Sequence, residues 1–165
     1  MPVLKGSHRR QQANEVGLLG EVIIEEFFDE QGIQYHDERT RTTQDYTMQN
    51  GVTVDVKTKE RTARPQAHYE NSVPLYNHAH QRPDFYYFVS LMRHSRQSTT
   101  DLKRFFEAHI LGAVSRRRLE QVGQHWKAGT TDPRNGTTFW TDCLNVSMEQ
   151  LLENTEMTRL FTEVT

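Results

Sequence analysis

Two aspartates and a lysine crowd one short segment, Gln44 to Lys57, around an Asn50-Gly51 pair. If the segment folds back on itself, Asp45, Asp55 and Lys57 meet on one face. Two carboxylates beside an ammonium can bind a divalent cation and handle a phosphate. Metal-dependent cleavage of a phosphodiester is therefore the leading chemistry open to these residues.

The segment predicts a hairpin. From Val52 to Lys59 apolar and polar residues alternate, the pattern of a half-buried strand. Successive side chains of a strand point to opposite faces. Val52, Val54 and Val56 then share one face, and Thr53, Asp55, Lys57 and Lys59 the other. Asp55 and Lys57 become neighbours about 6–7 Å apart along the strand. Asn50-Gly51 is a strong hairpin signal, and loop length sets the register. A two-residue loop would put Asp45 opposite Val56, on the apolar face. A three-residue loop, Gln49-Asn50-Gly51, puts Asp45 opposite Asp55, Tyr46 opposite Val54 and Met48 opposite Val52. Only the second register sorts apolar from polar residues, because a one-residue slip flips a whole strand. It requires Gly51 at the left-handed position of a bulge. Opposed carboxylates, with Cβ atoms about 4.5–5.5 Å apart, repel unless a cation lies between them. All-oxygen ligands suit Mg²⁺ or Mn²⁺. For the hairpin alone, an ordinary solvated polar face is the alternative.

A helix must stand before the hairpin. Asn14 to Gln31 is amphipathic, with Asn14 as N-cap and Gly32 as the stop. Val16, Leu19, Ile23 and Phe27 form its apolar stripe, widened by Val22 and Ile24. Gly17 and Gly20 lie within a turn of Glu21, so another element is expected to approach closely there. Taken alone, Glu21 reads as an ordinary helix glutamate.

A glutamate-bearing helix, a strand, an Asp strand and an Asp-x-Lys strand now follow in that order. In this the chain resembles the PD-(D/E)xK nuclease superfamily, which includes restriction endonucleases, archaeal-type Holliday junction resolvases and phage exonucleases. The resemblance covers roughly the first hundred residues well and the remainder loosely. It implies that Asp45 is the first motif aspartate, Asp55 the second acidic residue, Lys57 the catalytic lysine and Glu21 the helix glutamate. Gln44 stands where the name-giving proline would be. The implied fold is α/β, a mixed central sheet flanked by helices with an αβββαβ core.

The chemistry fits these residue types. A cation held by Asp45, Asp55 and the Val56 carbonyl would neutralise the phosphate and make a water nucleophilic. Lys57 would position or deprotonate the water, or stabilise the pentavalent charge. Glu21 would reach the metal directly or through water.

Composition sets the outer limits. The 165 residues suffice for one domain with a real core. Residues 1–13 are polar and read as a basic, flexible arm ahead of a single domain over 14–165. No apolar run approaches a membrane span, and no signal peptide is evident. Cys143 is the single cysteine, so there is no disulfide framework, and a cytoplasmic setting follows. The net charge of −2 does not advertise nucleic-acid binding. The charge is patterned, however. Lys5, Arg9 and Arg10 lie in the arm, Lys59, Arg61 and Arg64 lead away from Lys57, and Arg116, Arg117 and Arg118 form a third cluster. A local basic track can contact DNA phosphates while the total stays near zero. For the third cluster a solvated face carries at least equal weight.

The rest of the chain predicts a strand within Ile33 to Arg39 and an irregular, aromatic-rich stretch from Arg61 to Gln81, with a short helix over Leu75 to Gln81. A covered strand is expected over Asp84 to Met92 and another over Phe105 to Val114. Ser115 should cap a basic helix to Val122. A loop over His125 to Gly136, a strand over Thr137 to Val146 and a capping box at Ser147 complete the reading. Trp126 and Trp140 read as packing anchors. There is no P-loop, and no H-E-x-x-H or G-x-S-x-G motif. The expected enzyme is therefore a Mg²⁺- or Mn²⁺-dependent deoxyribonuclease, structure-selective or non-specific, and a resolvase of this kind would be a homodimer. Two rivals stand beside it: an inactive DNA-binding module of the same fold, and a zinc-binding interaction domain built on His68, His78 and His80.

Overall fold

In the computed structural model, residues 8–40, 43–76, 80–95 and 101–163 are described, with side chains from residue 14 onward. The chain opens with helix α1 (His8–Glu30), followed by β1 (Tyr35–Asp37), β2 (Tyr46–Met48) and β3 (Thr53–Arg61). Then come β4 (Glu70–Pro74), β5 (Phe85–Arg93), β6 (Phe105–Ser115), α2 (Arg116–Val122), β7 (Gln124–Trp126), β8 (Cys143–Ser147) and α3 (Asn154–Thr162). The fold is α/β. A mixed five-stranded sheet in the order β1-β2-β3-β5-β6 is flanked by helices, and a three-stranded sheet, β4-β8-β7, stands beside it. β3 and β5 run parallel; the other neighbours of the main sheet are antiparallel.

The hairpin has the three-residue loop. Tyr46 pairs with Val54 and Thr47 with Thr53, and Met48 N donates to Val52 O at 2.7 Å. Gly51 sits at φ +90°, as the bulge requires. Asn50 secures the turn: its Oδ1 accepts from Val52 N, and its Nδ2 donates to Leu160 O in α3. Gly51→Ala should cost roughly 1–2 kcal/mol of left-handed strain. Thermal unfolding would register this as a Tm lower by roughly 2–8 °C; an unchanged Tm would contradict the turn geometry.

Alternation along β3 splits the core in two. Val54 and Val56 join Val16, Ile24, Phe28, Tyr46, Tyr87, Met157 and Phe161 on the α1 and α3 side. Tyr86, Phe88, Val114, Leu119 and Val146 pack on the opposite side, against α2 and the small sheet. The buried line of α1 is Val16, Gly20, Ile24 and Phe28, one position off the expected stripe; Val22 is exposed, while Leu19, Ile23 and Phe27 are partly buried at its margin. Phe28 draws the line inward, since its ring meets Tyr35, Tyr46, Tyr87 and Phe161 at centroid distances of 5.4–6.2 Å. Gly20 is the point of closest approach: a Cβ there would lie 1.8 Å from Thr58 Oγ1 on β3. Gly17 plays no such part, having nothing within 4 Å of its Cβ direction.

Other elements depart from the sequence reading. The helix begins at His8, six residues before Asn14, because Arg, Gln and Ala upstream are good helix formers. Among the described residues the crossover between parallel β3 and β5 carries strand β4 and no helix; the short helix expected over Leu75 to Gln81 falls in part outside them. The strand expected over Thr137 to Val146 narrows to β8, paired on both sides. The capping box at Ser147 opens only a 3₁₀ turn, and the helix proper, α3, starts at Asn154. Trp126 stacks on Phe139 at 5.0 Å, but Trp140 is 73% exposed and anchors nothing in the core. Ser115 caps α2 as expected, accepting from Arg118 N. No helix among the described residues is long and apolar enough to cross a membrane.

Candidate active site

The site forms where β2 enters the sheet. Asp45 lies just before β2 and is pinned on three sides. Its N–H donates to Val54 O (3.1 Å), its carbonyl accepts from Glu38 N (2.8 Å), and its carboxylate Oδ2 accepts from Val56 N (2.8 Å). The side chain thus takes a ladder position that a backbone carbonyl would otherwise fill, and the Asp45 carboxylate is turned onto β3. Tyr46, the next residue, is fully buried and donates from its hydroxyl to Glu25 Oε1 (2.8 Å), fixing the hairpin to α1.

Asp55 projects from the middle of the sheet and is 2% exposed. Lys57 Nζ lies 2.7 Å from Asp55 Oδ2. That contact is an ion pair without hydrogen-bond alignment, so this buried oxygen has no hydrogen-bond partner. Lys57 Nζ donates to Gln81 Oε1 (3.3 Å) and stands 5.9 Å from the Tyr86 ring centre. Burial works against the lysine's charge, but the carboxylates of Asp55 and Asp45 outweigh it and hold its pKa above the ordinary value. Lys57 is therefore a fixed cation at neutral pH.

Asp45 is pushed the other way. Burial first, then the charge of Asp55 and more weakly that of Glu21, raise its pKa to about 8 against the Val56 hydrogen bond. Beside the charge of Asp55 in a buried place, Asp45 therefore keeps its proton at neutral pH. A divalent cation would replace that proton. The donor chemistry suits such an ion in having two converging carboxylates, with Lys57 beside them on Asp55 Oδ2 at 2.7 Å. Among the described residues no three His, Cys, Asp or Glu side chains converge on one metal position.

The raised pKa of Asp45 gives stability a definite pH dependence. Between its unfolded value of 3.8 and its folded value of about 8, the folded chain holds a proton that the unfolded chain releases. Stability therefore falls as pH rises through that window. Glu21 is raised too, by burial, and acts in the same sense. Lys59, lowered to about 8 by burial and then by Arg61, acts in the opposite sense only above about pH 8. In chelator-containing buffer, Tm should fall from pH 5 to pH 7.5, and Asp45→Asn should flatten the slope. A Tm that rises over the window would contradict a protonated Asp45.

Glu21 reaches the edge of the site. It is 6% exposed, and Asp55 and Asp45 lie within range of its charge. Its carboxylate engages Arg39, with Oε2 3.3 Å from Nη1. Arg39 also meets Glu25 (3.2 Å) and Asp37 (2.7 Å), gathering the acidic side of α1 onto the end of β1. Arg39, Gln81 and Asp84 are the residues that sequence reading missed. Asp84 accepts from Thr53 N (2.9 Å) and Thr53 Oγ1 (3.1 Å), fixing the start of β3 against β5. No motif marks any of them, because each is recognisable only by what it touches.

The basic track beyond Lys57 is built differently from the expectation. Lys59 is half-buried on the same face. Arg61 is occupied within the fold: Nε donates to Ser90 Oγ (3.0 Å) and Nη2 to Glu70 O (2.7 Å), and its guanidinium lies over Tyr69. It tethers the main sheet to β4. Arg64 is 74% exposed and paired with Glu107 at 3.2 Å. Arg9 and Arg10 belong to α1 by backbone, but their side chains lie outside the described residues, as does Lys5. Of the histidines expected for zinc, His78 lies outside the described residues, His80 is exposed, and His68 packs edge-on to Tyr69. No protein-family model matches this chain, and no curated protein sequence matches it.

Proposed function

We propose that the protein is a metal-dependent nuclease that hydrolyses DNA phosphodiester bonds. The observation that carries the reading is the convergence of Asp45, Asp55 and Lys57 at one buried-to-open point of the hairpin. A structural ion pair with Lys57 would need one carboxylate, whereas a second, Asp45, is turned onto the same point by the Val56 N–H. Mg²⁺ or Mn²⁺, when bound, would neutralise the pair and polarise a phosphate oxygen and a water. Asp45 and Asp55 would hold it, with the Val56 carbonyl as a further oxygen ligand.

The remaining roles belong to the chain itself. Lys57, kept charged, stabilises negative charge developing on the phosphate and orients the attacking water; it does not abstract a proton at neutral pH. The Val56 N–H keeps Asp45 aimed at Asp55. Arg39 holds Glu21 at the margin, where it would position water. DNA is favoured as substrate because exposed arginines, Arg82 and Arg117, stand near the site as a local basic patch in a chain of net charge −2. A reducing cytoplasm suits the lone buried Cys143, and a junction-cutting enzyme of this design would work as a homodimer.

The test is a panel of labelled DNAs with Mg²⁺ or Mn²⁺: linear duplex, single strand, flap and four-way junction. Wild type is expected to cut at least one of them and Asp55→Asn none. Equal cleavage by both would place the activity elsewhere. Binding without cleavage by wild type would favour the non-catalytic DNA-binding module.

A further inference from the structure

Beside the site lies an open groove of about 820 Å³, lined by Val52, Pro83, Phe85, Arg82, Arg116 and Arg117 among others. It joins the site through the backbone. Gln81, which accepts from Lys57, precedes Arg82, and Arg82 N donates to Thr43 O (3.3 Å), two residues before Asp45. On the other wall, Arg116 N donates to Asp84 O (2.9 Å), and the Arg116 charge reaches the Tyr86 hydroxyl whose ring lies near Lys57. Arg82 and Arg117 are exposed. The two acids of the groove are engaged within the fold, Asp84 by Thr53 and Glu120 by Arg116 (3.2 Å).

We infer that this groove carries the DNA strand away from the scissile phosphate, with Arg82 and Arg117 on its backbone phosphates. The inference rests on the nuclease reading above and adds the path of the substrate. The exposed guanidiniums of Arg82 and Arg117, on a groove tied by backbone hydrogen bonds to the neighbours of Lys57 and Asp45, suit a polyanion running past the lysine. The groove walls offer Val52, Pro83 and Phe85 instead of a ring of base-reading groups, so contacts there fix position and not sequence. Arg118 supplies an internal control: it is exposed on the same helix but does not line the groove.

The experiment is fluorescence anisotropy of a labelled duplex with chelator present, so that cleavage is silent, over a series of salt concentrations. Arg82→Ala with Arg117→Ala should lower the slope of log affinity against log salt by about 2. Arg117→Glu should weaken binding at least tenfold, and Arg118→Glu by less than threefold. Matched Tm values would confirm that the exposed substitutions leave the fold intact. Equal losses from Arg117→Glu and Arg118→Glu, or no loss from either, would overturn the groove. So would a wild type that binds no duplex and no single strand. If binding follows the groove pattern but the panel above is never cut, the groove stands and the nuclease reading fails.

Discussion

Lys57→Ala is expected to lower DNA cleavage by about 10²–10³-fold while leaving DNA affinity within a few-fold of wild type. The size follows from losing one fixed charge aimed at a developing oxyanion in a largely water-excluded place. The direction follows from the pKa argument, since a lysine whose ammonium is retained by Asp55 and Asp45 acts as a cation. Removing it also leaves Asp55 without its ion-pair partner, which in a buried pair is destabilising. That loss is moderated here, because Lys57 is 24% exposed at the side chain and the aspartates can take up a proton. Single-turnover rates at saturating DNA separate the two effects, and Tm is measured alongside. A lysine acting as general base would instead leave a rate that rises steeply with pH toward its pKa in wild type; the fixed-cation role predicts no such limb from Lys57. Unchanged single-turnover cleavage in the alanine variant would remove Lys57 from the chemistry.

The second large effect is on the fold beneath the site. Gly20→Ala in a helix interior ordinarily gains stability, by roughly 0.5–1 kcal/mol. Here it should lose roughly 1–3 kcal/mol, because the new methyl enters an occupied place. Its Cβ would lie 1.8 Å from Thr58 Oγ1 and 2.8 Å from Thr58 Cβ. Rotating the threonine moves the hydroxyl but not its Cβ, so backbone must give. Tm should fall by roughly 2–12 °C. Thr58→Ala should restore part of the loss, since it removes the Oγ1 and Cγ2 contacts and a buried hydroxyl that has no hydrogen-bond partner, while the Cβ contact at 2.8 Å stays. The same contact sets the height of Glu21, the next residue, over β3. A Gly20→Ala variant as stable as wild type would mean that α1 does not sit this close to the sheet.

The hairpin was legible because three independent signals agree on one register: the Asn50-Gly51 turn, the valine alternation and the polar face. Only one loop length satisfies all three, and the pairing of Tyr46 with Val54 follows it. β5 and β6 were legible for a similar reason, as long apolar runs. The small sheet was not, because β4 is Glu-Asn-Ser-Val-Pro and buries only alternate residues against β8. So short and polar a strand exists by virtue of its neighbours. α3 escaped notice because Met157 and Phe161 alone form its buried line among threonines and charged residues. In the site, residue types disclosed Asp45, Asp55 and Lys57, but sequence cannot tell a cation that meets solvent from one that ties two sheets together. Arg61 is of the second kind, and Arg39 likewise serves the fold by tying α1 to the end of β1. The burial of Glu21 was likewise hidden, since its helix carries acids on several faces.

Asp45 and Asp55 are expected to hold a divalent cation between them. The most direct test is titration of the chelator-treated protein with Mn²⁺, followed by electron paramagnetic resonance of the free ion. The expected result is saturable binding in wild type that strengthens from pH 6 to pH 8 as the Asp45 proton is displaced, and that is lost in both Asp45→Asn and Asp55→Asn. Wild type that leaves the free Mn²⁺ signal undiminished at millimolar protein, or binding that survives both substitutions, would contradict it.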